Sequence, residues 1–120
     1  MIQIKRAYLP AEPADGARFL VDRLWPRGIK KEDLPLQEWL KDVAPSNELR
    51  HWFHHDPERW PEFRTRYRAE LAEHPETWQP LLELARHHTV TLVYAGKDPL
   101  HNNALVLQEF LEHKISPRKS

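Results

Sequence analysis

Apolar and polar positions follow two different periods along this chain. From Val90 to Ala95 the residues form a β-branched and apolar run of strand character. Gly96-Lys97-Asp98-Pro99 stops the run, and Leu100, Ala104, Leu107 and Leu111 then recur at helical spacing. Near the start, Ile2 and Ile4 alternate with polar neighbours, which predicts a first strand over Gln3 to Tyr8. Pro10 to Gly16 is a proline-rich loop, and Phe19 to Trp25 reads as a second strand ended by Pro26-Arg27-Gly28. A connection from Ile29 to Leu36 leads to an amphipathic turn or two around Trp39 and Leu40.

The middle third carries the helical period. Ser46 is a good N-cap before Leu49, Trp52 and Phe53. Asp56-Pro57 ends one helix and starts another, on which Trp60, Phe63, Tyr67 and Leu71 form a stripe. His74-Pro75 repeats that signal, and Trp78, Leu81, Leu82 and Ala85 mark a third helix closed by His87-His88. Strands separated by long helical crossovers pair in parallel. The expectation is a small α/β fold, a mostly parallel sheet with helices packed on it. It forms a single domain over 1–114, followed by a C-terminal tail over 115–120.

Composition narrows the chemistry. One domain suits 120 residues, and five tryptophans supply large pieces of core. Eighteen basic residues balance eighteen acidic ones, so no global field draws the chain to nucleic acid or membrane. The absence of cysteine removes disulfides, thiolate metal sites and thiol nucleophiles. No apolar h-region or long apolar run is present, so the expectation is a cytoplasmic protein without a membrane partner.

If the sheet is parallel, the carboxyl ends of its strands share one rim, where α/β proteins place ligands. Lys5 and Arg6, the Arg23 to Arg27 segment and Lys97-Asp98 all approach such ends. Asp22 is a carboxylate inside an apolar run and must find a cation or donors. It is a candidate general base, or one half of an ion pair with Arg6, Arg23 or Lys97. Arg23, Arg27 and Lys97 have the donors for a phosphate or carboxylate. Asp98 suits an N-cap with Pro99 at the first helical position. His101 is the candidate acid/base group, and Asn102 and Asn103 are poor helix formers placed in a helix's first turn. His51 and His55, at i and i+4, are the candidate metal or haem ligands, with no third ligand specified and no cofactor identified.

Several segments in order carry a resemblance. They are Lys5-Arg6-Ala7-Tyr8, Asp15-Gly16-Ala17-Arg18, Leu20 through Gly28, Ala44-Pro45-Ser46 with Leu49-Arg50, Trp52 through Pro57, and Lys97-Asp98 with His101 through Ala104. Together they resemble the YeaO-like family, a bacterial branch of the domain of unknown function numbered 488. The resemblance spans nearly the whole chain and implies a small α/β fold, but no activity. The functional expectation is a small anionic or polar ligand held by Arg6, Asp22, Arg23, Arg27, Lys97, His101, Asn102 and Asn103. The alternatives are a nucleic-acid or protein-binding module built on Arg59, Arg64, Arg66 and Arg68, and a metal or haem protein built on the histidines around His51.

Overall fold

The computed structural model describes residues 1–115. Strands β1 (Ile2–Arg6), β2 (Ala17–Leu20), β3 (Glu38–Trp39) and β4 (Val90–Tyr94) form one parallel sheet in the order β1-β4-β2-β3. Helices α1 (Asn47–Phe53), α2 (Trp60–Glu73), α3 (Gln79–His87) and α4 (Asn103–Ile115) complete the α/β architecture expected from the pattern.

β4 lies between β1 and β2, which accounts for its unbroken apolar character: all of its residues are buried. Its one polar member, Thr91, spends its hydroxyl on the Asp15 carbonyl at 2.7 Å. One face of the sheet, carrying Ile2, Phe19, Leu92 and Tyr94, packs against Phe63 and Tyr67 of α2 and Leu107 of α4. Among the described residues, no α-helix packs on the opposite face. Leu20 and Val93 are covered there by Leu34, with Trp25, Ile29 and Leu36 from the β2–β3 connection. Asp15, in the β1–β2 loop, takes Lys5 Nζ at 3.0 Å and Arg18 Nη1 at 2.6 Å.

Several element bounds differ from the sequence pattern, each for a local reason. β2 begins at Ala17 and ends at Leu20 rather than spanning Phe19 to Trp25. Its start is set by Gly16, whose φ of 64° turns the chain so that the Ala17 N–H meets the Thr89 carbonyl at 3.0 Å. Its end is set by Asp22, which leaves the ladder just after Val21 donates to the Val93 carbonyl. Trp25 is not a strand residue; its indole donates to the Ile29 carbonyl at 2.6 Å. β1 stops at Arg6, short of Tyr8. Around Trp39 and Leu40, where the pattern implies an amphipathic turn or two, Glu38–Trp39 is a short edge strand paired with Phe19 and Leu20. The last helix starts at Asn103 rather than at Pro99, and it includes Ile115. The rest of the expected tail, 116–120, lies outside the described residues.

Candidate functional site

Parallel pairing brings the carboxyl ends of the strands to one rim, and the chain there is stitched by side chains from distant segments. Asp22 is the central stitch. Its Oδ2 accepts the Ala95 N–H at 2.8 Å, just past β4. Its Oδ1 accepts Asn103 Nδ2 at 3.1 Å, at the first residue of α4. The same Asn103 amide also donates to the Val21 carbonyl at 2.9 Å. Asp22 therefore ties β2, β4 and α4 together, and it does so with hydrogen-bond donors. No cation forms an ion pair with it among the described residues, which corrects the expected bridge to Arg6, Arg23 or Lys97.

Burial pushes the Asp22 carboxyl above its ordinary pKa, opposed by the Ala95 N–H, by Asn103 and by the charges of Arg50 and His55. The side chain is nonetheless only half-buried, so solvent reaches a carboxylate with perturbed acidity. The Tyr94 phenol, at the end of β4, belongs to the same neighbourhood. Burial raises its pKa, Arg6 opposes that, and the Asp98 and Asp22 carboxylates add to it.

The turn from Ala95 to Asn102 follows β4 at this rim. Arg6 Nε donates to the carbonyls of Gly96 at 2.9 Å and Ala95 at 3.3 Å, holding the turn to β1. Asp98 Oδ1 accepts the Leu100 N–H at 2.9 Å, and its Oδ2 lies 2.7 Å from His101 Nδ1. A carboxylate only accepts, so this contact makes Nδ1 the protonated nitrogen and leaves Nε2 as the acceptor of neutral His101. The Asp98 carboxyl is held below its ordinary pKa, first by the Leu100 N–H and then by His101. The His101 ring stands edge-on to Trp60, centroids 5.1 Å apart. Lys97 is exposed at the tip of the turn, and no described residue pairs with its ammonium.

The remaining expected site residues take structural positions. Asn102, and not Asp98, occupies the capping position of α4: its Oδ1 accepts the Leu105 N–H at 2.8 Å and its Nδ2 donates to the Asp98 carbonyl at 3.0 Å. Arg23 points to the β3–α1 segment and donates to the carbonyls of Ala44 and Pro45. Arg27 is exposed, with its carbonyl taking the Tyr8 hydroxyl at 2.7 Å. His51 and His55 do not share a helix face. α1 ends at Phe53, and His54 and His55 both take positive φ, 45° and 56°. No group of three or more histidine or acidic side chains is placed to hold a metal ion among the described residues.

Arg50, His55, Trp60 and Tyr94 are neighbours of the rim that pattern reading did not assign there. Tyr94 was legible in principle, as the last residue of the buried strand before the polar turn. Arg50 and Trp60 arrive through tertiary packing of α1 and α2, which carries no local signature. The arginines of α2 and the turn before it are paired. Arg59 faces Asp56, Arg66 faces Glu62, and Arg64 and Arg68 share Glu109. They form a neutralised face rather than a cationic stripe.

Comparison with known proteins places this geometry in a family. The model described as the inactive DUF488-N3 subclade matches residues 1–120. The chain belongs to that family. It is 51% identical over 110 residues to uncharacterized protein YeaO of Escherichia coli, an alignment covering 92% of this chain and 96% of the relative. It is 44% identical over 110 residues to uncharacterized protein Rv3073c of Mycobacterium tuberculosis and to Mb3100c of Mycobacterium bovis, covering 92% of each chain. These relatives are bacterial proteins, and the resemblance to YeaO-like proteins noted in the sequence is thereby shown. No solved structure matches the chain. No helix among the described residues is long and apolar enough to cross a membrane.

Proposed function

We propose that this protein is a cytoplasmic binding domain that holds a small polar ligand bearing an anionic group at the carboxyl rim of its sheet. The observation carrying this reading is Asp22, a half-buried carboxylate fixed by Ala95 and Asn103 beside an exposed polar turn. Lys97 and His101 are the proposed ligand contacts. Lys97 supplies a charge that meets no partner among the described residues, and His101 supplies an oriented Nε2. Arg6, Asn102 and Asn103 set the shape of the turn, and Arg27 adds positive charge at the outer rim.

Binding without turnover is favoured by what the rim lacks. The chain has no cysteine. The Ser46 hydroxyl is engaged with Leu49 and Glu70, and that of Thr91 with Asp15. Among the described residues, no serine, threonine or cysteine side chain is hydrogen-bonded to His101, whose Nδ1 contact is Asp98. The family's description as inactive agrees with this reading. The arginine-rich reading has less support, because Arg59, Arg64, Arg66 and Arg68 already face carboxylates.

The test is a thermal-shift panel of phosphate- and carboxylate-bearing metabolites, followed by calorimetry on any stabilising compound. A ligand at a hundredfold excess over its Kd should stabilise the fold by about 2.7 kcal/mol. Lys97→Ala and His101→Ala should abolish the binding while melting within a few degrees of wild type. If both variants unfold, the cluster is structural. If the bound compound is converted to product, the domain is an enzyme after all.

A further inference from the structure

A second concave region lies away from the rim, along the free edge of the sheet. β3 is the last strand in the order, and no described strand pairs with its outer side. Between that edge and the α2–α3 corner runs a groove of about 950 Å³. That is the upper end of the size range of small-ligand pockets, and this groove is half open to solvent. An open trough beside an unpaired strand edge suits an extended chain that adds to the sheet.

The charge lining the groove identifies the chain that fits. Its cations are already committed: Arg23 donates to Ala44 and Pro45, and Lys41 Nζ lies 4.2 Å from the centre of the Trp39 ring. Its carboxylates are less so. Glu70 accepts from Ser46 and Glu76 lies 3.5 Å from His74 Nδ1, whereas Glu38, Asp42, Glu48 and Glu73 meet no cation among the described residues. A protein whose formal net charge is zero therefore concentrates negative charge along one edge. Two copies meeting edge to edge would bring Glu38 against Glu38, which disfavours self-pairing. We infer that the groove beside β3 is a docking site for a basic, extended polypeptide segment of a partner protein, which pairs its backbone with β3.

The test uses the whole chain and a short synthetic peptide alternating lysine with valine, with a glutamate–valine peptide as control. Anisotropy should show the lysine peptide binding with an affinity that falls as salt rises. Amide NMR should show shifts and slowed exchange concentrated over Gln37 to Lys41 and the carboxyl end of α2. The double variant Glu38→Lys with Glu73→Lys, both exposed positions, should retain the wild-type melting temperature and weaken binding at least about tenfold. The inference is overturned by equal binding of the glutamate peptide, by an unaffected double variant, or by no binding at low salt. Shifts at Gln37 to Lys41 that appear on raising protein concentration alone would assign the groove to a second copy instead.

Discussion

Two aspartates in this protein sit in opposite electrostatic situations, and pH should separate them. Burial pushes Asp15 up, but Lys5, the Glu12 N–H and Arg18 outweigh it, so its carboxyl is held below the ordinary value. Its stabilising contribution is full above the unfolded pKa of about 3.9 and is lost as pH falls through the folded value. Asp15 and Arg18 are only 3% and 6% exposed, so Asp15→Ala strands a buried guanidinium. Chemical denaturation at neutral pH should register a loss of about 3–5 kcal/mol. Asp22 runs the other way. Its folded pKa is raised, so its contribution is full below about 3.9 and is lost as pH rises through the folded value. The unfolding free energy of wild type minus that of Asp22→Asn should therefore decline as pH rises from about 4 through the raised folded value. A difference that stays flat or grows would mean that Asp22 ionises without penalty. The sequence marked Asp22 as an anomaly because a carboxylate stood in an apolar run. It could not name the partners, since Ala95 and Asn103 meet it only through the sheet and α4.

At the level of elements, caps and turns decide where strands and helices begin. Asn102→Ala removes the acceptor of the Leu105 N–H and should cost about 1 kcal/mol, measurable by urea unfolding. Gly16→Ala should cost more, roughly 2 kcal/mol or above, because the new Cβ would fall 2.2 Å from the Thr89 carbonyl oxygen at a positive φ. Gly28→Ala is the matched control. It shares the positive φ but meets nothing within 4 Å, so only backbone strain of about 1 kcal/mol is expected. If both glycine variants lose the same stability, the close approach at Thr89 is wrong. These sites also show what was legible. The caps at Ser46 and Asp56 act as the sequence implies, accepting from Leu49 and Glu58. The start of α4 was misplaced because Asp98-Pro99 carries the same local signature as a real cap. There it builds a turn that orients His101 instead. β3 left no readable pattern because an edge strand this short, with Glu38 exposed, has no apolar alternation to show.

On the scale of the whole molecule, the sheet order explains why segments distant in the chain meet at one rim. Placing β4 in the centre puts the polar turn after it between the ends of β1 and β2. Arg6 and Asp22 can then both reach that turn, although they lie far apart in the chain. Parallel pairing alone implies that the strand ends meet, and Asp22 does accept the Ala95 N–H just past β4. The routing of Arg23 toward Ala44 and the pairing of the α2 arginines were not predictable, because both depend on which loops cover which face.

The most direct measurement is an amide NMR titration of the full chain with inorganic phosphate and, separately, acetate. A ligand-binding rim predicts saturable shifts centred on Ala95 to Asn103 and on Asp22, lost in Lys97→Ala. Shifts that never saturate, or that centre on the arginines of α2 while the Ala95–Asn103 amides stay still, would contradict it.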